Sequence, residues 1–310
     1  MDENLEEKLR NYLQLYWLRP ENGLLATFKS KIIEKYEFES PSLDISCGDG
    51  LFMFLHMGGT FEFDFDYFKN TKAGEFNHNS FIDIYDSYND SYEVPLEKTP
   101  KHKIDFGTDW KESLLDKSRK VGIYNKLVLH DNNKKPFPLQ DNFFKIIHSN
   151  SAYWIKEPEI LLSEIHRMLD NDGIALLEVM TPYHFSTFEK ISPHLSNKAI
   201  EILDRKRRET MPGLKDYNEW KTIFLNQGFE IVEVKNVYPD KYIMDIWNIG
   251  LRPISHLLIQ MVEKISVEER KKIKKEWVDI FFELFKPLLK LSTDYSFEKS
   301  PYLLFVLKKG

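Results

Sequence analysis

The 310-residue chain has little of several features that would assign it to a particular class of protein. It has one cysteine, Cys47, so it cannot form an internal disulfide or a metal site built from several thiolates. No uninterrupted apolar run approaches the roughly 18 residues of a membrane-spanning helix. Basic residues are not in excess, with 43 Lys and Arg against 49 Asp and Glu. This balance disfavours non-specific nucleic-acid binding, which needs a positive surface.

What the sequence does have is the composition of an ordinary globular protein. Hydrophobic residues make up 42% and charged residues 30%, which argues against extensive disorder. At roughly 100–200 residues per domain, the length allows one large domain or two small ones. The first ten residues are charged and do not resemble a secretory signal. We therefore expect a soluble, cytoplasmic protein with no membrane partner, while the composition gives no indication of the oligomeric state.

Predicted strands and helices alternate along the chain from about residue 42. Alternation of this kind is typical of an α/β protein, because neighbouring parallel strands need crossover connections that are usually helical. The pattern therefore predicts a mostly parallel sheet with helices on both of its faces. The predicted strands are 42–46, 104–109, 126–131, 143–149, 174–180, 229–237 and 302–307.

The first predicted strand ends in a glycine-rich turn, Cys47-Gly48-Asp49-Gly50, which runs directly into a helix. Ligands of open α/β sheets bind beyond the carboxyl ends of the strands. Glycine at such a turn lets a ligand approach the backbone, because no Cβ intervenes. A dinucleotide site would have a third glycine where this chain has Met53. A nucleotide-binding oxidoreductase is therefore a disfavoured alternative.

Several segments resemble, in order, the motifs of class I S-adenosylmethionine (SAM)-dependent methyltransferases. Residues 43–50, Leu-Asp-Ile-Ser-Cys-Gly-Asp-Gly, resemble the first motif, and 107–109 resemble the acidic end of the second strand. Residues 130–139 resemble the third strand and its loop, and 141–150 the fourth strand. Residues 160–173 resemble the helix and turn before the fifth strand. The group that these motifs resemble most is methyltransferase type 11.

This resemblance implies a Rossmann-like methyltransferase fold, with a mostly parallel seven-stranded sheet, helices on both faces and an added helical cap. It implies one methyltransferase domain over residues 1–310, made of several parts. These parts are N-terminal helices (1–40), a SAM-binding core (42–59 and 104–181), an insertion (60–103), a lid with the sixth strand (183–237), and a C-terminal helical block with the last strand (240–310).

The resemblance also implies which residues line the methionine part and the reacting end of SAM. Backbone groups of Cys47, Gly48 and Gly50 would line the methionine part, with Asp44 on the strand before them. Asn150, at the end of the fourth predicted strand, would face the reacting methyl group.

An acid at the end of the second strand would accept hydrogen bonds from both ribose hydroxyls. Asp66 and Asp109 compete for this role, and we favour Asp109 because Asp131 then follows after one helix and one strand. Asp131 would bind the adenine amino group with Asn132 beside it, and Trp110 would pack against the adenosine. Simpler alternatives are a helix N-cap for Asp109, a loop aspartate for Asp131 and a core position for Trp110.

Candidate catalytic residues follow the fourth and fifth predicted strands. Asn150 and Tyr153 have the spacing of the Asn-Pro-Pro-Tyr motif of amino methyltransferases, but the two prolines are absent. His148 and His184 lie near the same edge, where a histidine could act as a general base for a hydroxyl acceptor. The alternative for each is a polar loop or half-buried histidine. No set of His, Asp and Glu has the spacing of metal ligands, so no metal is expected.

We therefore predict an enzyme that transfers the methyl group of SAM, its cofactor, to a small molecule such as a sugar, a nucleotide-sugar or another biosynthetic intermediate. Nucleic acid is not expected as a substrate. The basic residues 205–208 are read as a solvated face of a lid helix, with an anchor for phosphate or carboxylate as the alternative. Ser46 stands where the family has glycine, and Lys145 where it often has aspartate. A catalytically silent, methyltransferase-like binding or scaffold protein is therefore the rival function.

Overall fold

The computed structural model describes residues 3–69, 85–86, 88, 91–240 and 242–310. Seven strands form one sheet in the order β5-β4-β1-β6-β7-β9-β8, and β2 and β3 form a separate pair. The strands are β1 Ser42–Ile45, β2 Thr60–Phe61, β3 Leu96–Lys98, β4 Ile104–Asp109, β5 Tyr124–Leu129, β6 Phe144–Ser149, β7 Leu169–Met180, β8 Phe229–Asn236 and β9 Tyr302–Lys309.

All neighbouring pairs from β5 to β7 are parallel, and β9 is antiparallel to both β7 and β8. This is the mostly parallel, seven-stranded fold expected from the motifs, and the prediction of fold class is confirmed. Every residue of β1 is buried, as are residues 302–307 of β9. Burial of the central strands explains their continuous apolar runs, because helices cover a parallel sheet on both faces.

The helices lie before, between and after these strands. Those described are α1 Glu3–Leu15, α2 Pro20–Ile33, α3 Leu51–His56, α4 Glu112–Val121, α5 Pro158–Met168, α6 Ser186–Ile191, α7 Asn197–Asp204, α8 Tyr217–Asn226, α9 Ile243–Ile249, α10 Ser255–Val262 and α11 Val267–Phe285. Their ends follow local chemistry: Asp216 and Glu219 form a reciprocal capping box at the start of α8. Among the helices that the structure describes, none has the length and apolarity needed to cross a membrane.

Most strands differ from their predicted extents by one or two residues, and the first residue differs most in β5 and β7. β5 begins two residues earlier than predicted and ends at Leu129, where its partner β4 also ends. β7 begins at Leu169, so the predicted turn at 170–173 lies within the strand as a bulge against β6. A Cβ on Gly173 would lie 2.7 Å from the carbonyl oxygen of Phe144. The bulge therefore depends on a residue without a side chain at this close approach.

The β2–β3 pair is connected to the C-terminal helices by polar contacts. Asp66 accepts hydrogen bonds from Trp17 Nε1 at 3.0 Å and from Arg270 Nε at 2.7 Å. Lys274 Nζ donates to the carbonyl oxygens of Phe63 and Phe65, each at 2.7 Å. These bonds join residues 63–66 to α11, while the next residue, Tyr67, donates a hydrogen bond to Asp49 in the turn after β1.

Candidate active site

The turn after β1 has a backbone that only small or glycine residues adopt readily. Ser46, Gly48 and Gly50 have positive φ angles of 61°, 59° and 76°. A Cβ on Gly50 would lie 2.8 Å from Ser118 Oγ, so this glycine is required by packing against α4. A Cβ on Gly48 would meet nothing within 4 Å. The backbone at Gly48 therefore borders open space that a ligand can enter.

Asp109 ends β4, the strand that lies beside β1. Its Oδ2 accepts a hydrogen bond from Gly48 N at 3.1 Å, and its Oδ1 accepts one from Lys111 N at 2.9 Å. The side chain is 5% exposed, and burial raises the pKa of the carboxyl despite these hydrogen bonds. Each carboxylate oxygen has more than one acceptor site. Asp109 therefore presents two fixed oxygens that can each accept a further hydrogen bond beside Gly48.

Two other candidates, Trp110 for the adenosine and Asp66 for the ribose, lie in different surroundings. Trp110 follows Asp109 directly and is 55% exposed, so its ring is not part of the core. Asp66, the rival to Asp109, is held by Trp17 and Arg270 near α11. Of the two competing acids, only Asp109 lies at the carboxyl end of a sheet strand.

Asp131 and Asn132 follow β5 and differ in their contacts. Asp131 accepts hydrogen bonds from Asn133 N and Asn133 Nδ2, both at 3.0 Å. Burial raises the pKa of Asp131, but the hydrogen bonds from Asn133 and the charge of Lys134 outweigh burial and hold this pKa below its usual range. The carboxylate is therefore ionised, and it is half-buried in the segment after β5.

The side chain of Asn132 makes hydrogen bonds that the sequence did not reveal. Its Nδ2 donates to Ser46 Oγ at 2.6 Å and lies 3.4 Å from Ser151 Oγ, so it joins the turn after β1 to the segment after β6. Its Oδ1 is buried and has no hydrogen-bond partner among the residues that the structure describes. The only sequence signal is the polar Ser46 in place of glycine, because Ser46, Asn132 and Ser151 are far apart along the chain.

His148 lies at the centre of a buried ion-pair network, here called the His148 network, with Asp44, Tyr124, Glu178 and Lys29. His148 Nδ1 is 2.7 Å from Asp44 Oδ1, and His148 Nε2 is 3.1 Å from Glu178 Oε1. Tyr124 OH donates to Asp44 Oδ2 at 2.5 Å, and Lys29 Nζ lies 3.4 Å from Glu178 Oε2. Both oxygens of Asp44 and both nitrogens of His148 are therefore occupied.

The charges of this network determine the protonation of the imidazole. Burial alone lowers the pKa of His148, but the hydrogen bonds and charges of Asp44 and Glu178 outweigh burial and raise the pKa to about 9. The imidazole is consequently a cation at neutral pH. A protonated ring shared between two carboxylates cannot accept another proton, which argues against His148 as a general base.

The two candidates after β6 have different environments. Asn150 follows the last residue of β6 and is half-buried at the carboxyl edge of the sheet. Tyr153 is buried, and its hydroxyl lies 3.4 Å from the hydroxyl of Tyr302. Tyr302 also accepts a hydrogen bond from Lys29 Nζ at 2.7 Å. The Tyr153 hydroxyl therefore contacts the Lys29 end of the His148 network.

His184 follows β7 and is 1% exposed. Neither of its ring nitrogens has a hydrogen-bond partner within the described parts of the chain. Burial, and then the charges of Arg207 and Arg252, hold the pKa of His184 well below its usual range. The neutral ring lies edge-on to Trp247, with ring centroids 4.7 Å apart. His184 is therefore a weak base at neutral pH but retains one N–H donor and one nitrogen acceptor.

The parallel strands bring most of these candidates to one edge of the sheet. Asp109 is the last residue of β4, and the other candidates follow carboxyl ends: the turn after β1, Asn132 after β5, Asn150 after β6 and His184 after β7. Among residues 3–69, 85–86, 88, 91–240 and 242–310, no group of three or more His, Cys, Asp or Glu side chains is arranged to hold a metal ion.

Comparison with known proteins gives the same fold. A family model described as a methyltransferase domain, of the type 11 group, matches residues 99–177. This range holds β4, β5, β6 and most of β7, with Asp109 and Asp131 among its residues. No curated protein sequence matches the chain.

Solved structures of methyltransferases are similar over nearly the whole chain. A SAM-dependent methyltransferase from Thermotoga maritima, described as a possible histamine N-methyltransferase, is 12% identical, covers 99% of each chain and has a TM-score of 0.51. A SAM-dependent methyltransferase from Mesorhizobium loti is 12% identical over 92% of this chain and 98% of that chain, with a TM-score of 0.46. At 12% identity, the similarity to the Thermotoga maritima structure shows the fold alone. The similarity to the Mesorhizobium loti structure carries no further argument.

Proposed function

The core of the chain is a class I, SAM-dependent methyltransferase domain, and from this premise we propose that the protein transfers the methyl group of SAM to a small-molecule acceptor. The observation that carries the proposal is the pairing of Gly48 with Asp109. An approachable backbone lies directly beside a buried carboxylate that has acceptor capacity left. Both are features that a nucleoside cofactor with an extended polar tail requires.

The residues around the turn fit SAM by their own chemistry. The open space at Gly48 leaves room for the methionine part against the backbone of Cys47 and Gly48. The two oxygens of Asp109 suit the two ribose hydroxyls, and the exposed Trp110 ring suits a face of the adenosine. The unpartnered Oδ1 of Asn132 is an acceptor that a bound ligand or water can satisfy.

Asp131, Asp44 and Gly50 have supporting assignments. Asp131 follows β5, the neighbour of β4, and precedes Asn132, which bonds to Ser46 in the turn, so we assign Asp131 to the adenine amino group. Asp44 has both oxygens engaged by His148 and Tyr124, so we assign it to holding the end of β1 in place. Gly50 allows α3 to begin close to Ser118, which fixes the direction in which the turn leaves the sheet.

SAM, when bound, supplies a methyl group that its sulfonium has already activated. The protein's contribution is therefore to orient the acceptor and to exclude water. Asn150, half-buried after β6, is placed to hydrogen-bond an acceptor at this edge. His184 is neutral and can hold an acceptor by its N–H or its lone pair, whereas its lowered pKa makes it a poor acceptor of protons. The site suits a nucleophile that needs little assistance from a base.

A cover of helices favours a small acceptor. α9 packs against α2, α6 and α7, and the segment between α7 and α8 reaches back to the end of β6, where Gly213 N donates to the carbonyl oxygen of Tyr153 at 3.1 Å. These elements enclose the edge that follows β6 and β7. Enclosure suits a small ligand, whose binding energy comes from contact over most of its surface.

Two alanine variants test the cofactor site, because each replaces a glycine whose backbone is in the left-handed region. Gly48 and Gly122 both have left-handed φ angles, 59° and 70°, and a Cβ on either would meet nothing within 4 Å. Gly122 ends α4 at the opposite edge of the sheet. We expect Gly48→Ala and Gly122→Ala to lose about 1 kcal/mol of stability each, because both place a side chain at positive φ.

Titration calorimetry with S-adenosylhomocysteine (SAH), the demethylated product of SAM, separates the two variants. We expect the wild type and Gly122→Ala to bind with the same affinity, and Gly48→Ala to bind at least tenfold more weakly because its methyl group enters the cofactor space. Absence of SAH binding to the wild type at high micromolar concentrations, or equal affinity in both variants, would refute this cofactor site.

A further inference from the structure

Two arginines lie over one tryptophan on the enclosed part of the carboxyl edge, and a third arginine acts on one of them through its charge. We call Arg19, Arg207 and Arg252, together with Trp247, the arginine cluster. The guanidinium carbons of Arg252 and Arg207 lie 4.6 Å and 5.8 Å from the centre of the Trp247 ring. Burial, and then the charges of Arg19 and Arg207, lower the pKa of Arg252 to about 9, which places these cations close enough to repel one another.

The position of the cluster connects it to the proposed methyl transfer. Arg207 also lies 4.4 Å from the ring of Trp154, in the segment after β6, and Trp247 contacts His184, which follows β7. Ser151, three residues before Trp154, lies beside the Asn132 side chain that reaches the cofactor turn. The arginine cluster therefore lies along the same edge of the sheet as the turn, over the neighbouring strands.

Local hydrogen bonds account for only part of the buried polar surface in this region. Arg252 donates through Nη1 to the carbonyl oxygen of Asp204 at 3.2 Å and through Nη2 to that of Leu203. Its Nε is buried without a partner in the described regions, and so are both nitrogens of His184 and Oδ1 of Asn248. Asn248 is itself bonded to the His184 carbonyl oxygen at 2.9 Å. Three neighbouring side chains thus leave buried polar atoms unsatisfied.

Unsatisfied buried groups and crowded cations both cost free energy. A buried donor without a partner is destabilising, and a buried charge needs an opposite charge or hydrogen bonds to compensate for lost hydration. Two carboxylates lie close enough to act on Arg252, and they are shared with other cations: Glu21 pairs with Arg19, and Asp204 pairs with Arg208 at 3.3 Å. An oxyanion would satisfy Arg252 Nε and an imidazole N–H together and would reduce the repulsion between the guanidinium groups.

We propose that the methyl acceptor carries a carboxylate or phosphate group, and that this group binds between Arg207, Arg252 and His184. The proposal rests on the methyl-transfer function above and names the chemical class of its acceptor. The exposed ring of Trp154 and the buried ring of Trp247 provide flat, apolar surfaces for the remainder of the molecule. The guanidinium groups set the charge of the acceptor, while the enclosing helices limit its size.

Adjacent arginines provide a matched test. Arg207 lies over Trp154 and Trp247, whereas Arg208 is exposed and pairs with Asp204 at 3.3 Å. Arg207→Gln and Arg208→Gln therefore remove the same charge one residue apart. His184→Phe removes both ring nitrogens while keeping an aromatic ring, and it tests the same site without altering a cation.

The probes are inorganic phosphate and acetate, titrated at constant ionic strength with sodium chloride as the reference while the thermal unfolding midpoint is followed. We expect at least one of the two anions to raise the wild-type midpoint saturably above that in chloride, and the identity of that anion separates phosphate from carboxylate acceptors. The apparent affinity is expected to fall at least tenfold in Arg207→Gln and in His184→Phe, and less than twofold in Arg208→Gln.

Two results would overturn the anion site. One is a wild-type midpoint that neither anion raises above its value in chloride, and the other is an equal loss of affinity in Arg207→Gln and Arg208→Gln. SAH calorimetry on the same proteins separates this proposal from the previous one. SAH binding without an anion effect leaves methyl transfer standing and removes the anion site, whereas an anion effect without SAH binding does the reverse.

Discussion

The two sides of the carboxyl edge, proposed here for the cofactor and for the acceptor, are built in different ways. On the cofactor side, over β1, β4 and β5, the residues that line the site lie within a few positions of a strand end, as Gly48 and Asp109 do. On the acceptor side, over β6 and β7, the arginine cluster draws on residues before α2, after α7, within α9 and after α9. On this proposal, cofactor recognition is local in sequence, whereas acceptor recognition depends on tertiary packing.

The two sides also differ in charge. Asp44, Asp49 and Asp109 surround Cys47, and after burial their charges are what raises the pKa of its thiol. The acceptor side instead gathers the guanidinium groups of Arg19, Arg207 and Arg252. SAM carries a positive sulfonium, whereas the proposed acceptor is an anion. If both proposals hold, this separation of charge would direct each ligand to its own side of the edge.

The largest expected effect comes from breaking the network that joins the two sides. Asp44 and Tyr124 lie on the cofactor side of His148, and Glu178 and Lys29 lie on the other. We expect His148→Gln to lower the free energy of unfolding by about 3–5 kcal/mol, because it leaves two buried carboxylates without their shared cation. Urea unfolding measures this, with the exposed His194→Gln as the matched control. A loss below about 1 kcal/mol would show that the network contributes little.

The next effect concerns the cofactor side alone. Asp109→Ala removes two carboxylate acceptors, and each hydrogen bond to a charged group contributes about 1.5–3 kcal/mol. We therefore expect SAH affinity to fall about 100-fold or more, measured by calorimetry. Asp116→Ala, which removes a carboxylate from the surface of α4, is the control and should bind SAH as the wild type does. Undiminished affinity in Asp109→Ala would contradict the ribose assignment, and retained anion binding in that variant would confirm that the sides act separately.

The smallest expected effect is the pH dependence of the His148 network. The pKa of His148 rises from an ordinary 6.5 to about 9 on folding, so its stabilisation is complete below pH 6.5 and is lost as the pH rises through 9. We expect the difference in unfolding midpoint between wild type and His148→Gln to shrink between pH 6.5 and pH 10. Taking the difference cancels the titration of groups that both proteins share. A difference that is constant or grows over this range would mean that His148 is neutral in the folded protein.

The contrast between features that are local in sequence and features that depend on tertiary packing explains what could be predicted from the sequence. The succession of helices and strands along the chain, the turn at Gly48 and the choice of Asp109 follow from short motifs and from their spacing. The glycines at 48 and 50 are needed by the backbone itself, so their signal is local. The choice of Asp109 over Asp66 also followed from spacing, since only Asp109 leaves the length of one helix and one strand before Asp131.

Other features depend on side chains that meet only after folding. Asn132 bonds to Ser46 and Ser151, and the arginine cluster forms where α9 packs against α2 and α7. His148 looked like a candidate base by its place near a strand end, yet its neighbours across β1 and β7 make it a buried cation. The bulge in β7 likewise arises from pairing with β6, which the turn-like sequence at 170–173 did not reveal.

A crystal structure of the protein with SAH bound tests the central claim most directly. The account predicts that the ribose hydroxyls bind both oxygens of Asp109, that the methionine part lies along Gly48, and that the sulfur faces the segment after β6 towards the arginine cluster. SAH bound elsewhere, or bound with its sulfur directed away from Trp154 and Trp247, would contradict the division of this edge into a cofactor side and an acceptor side.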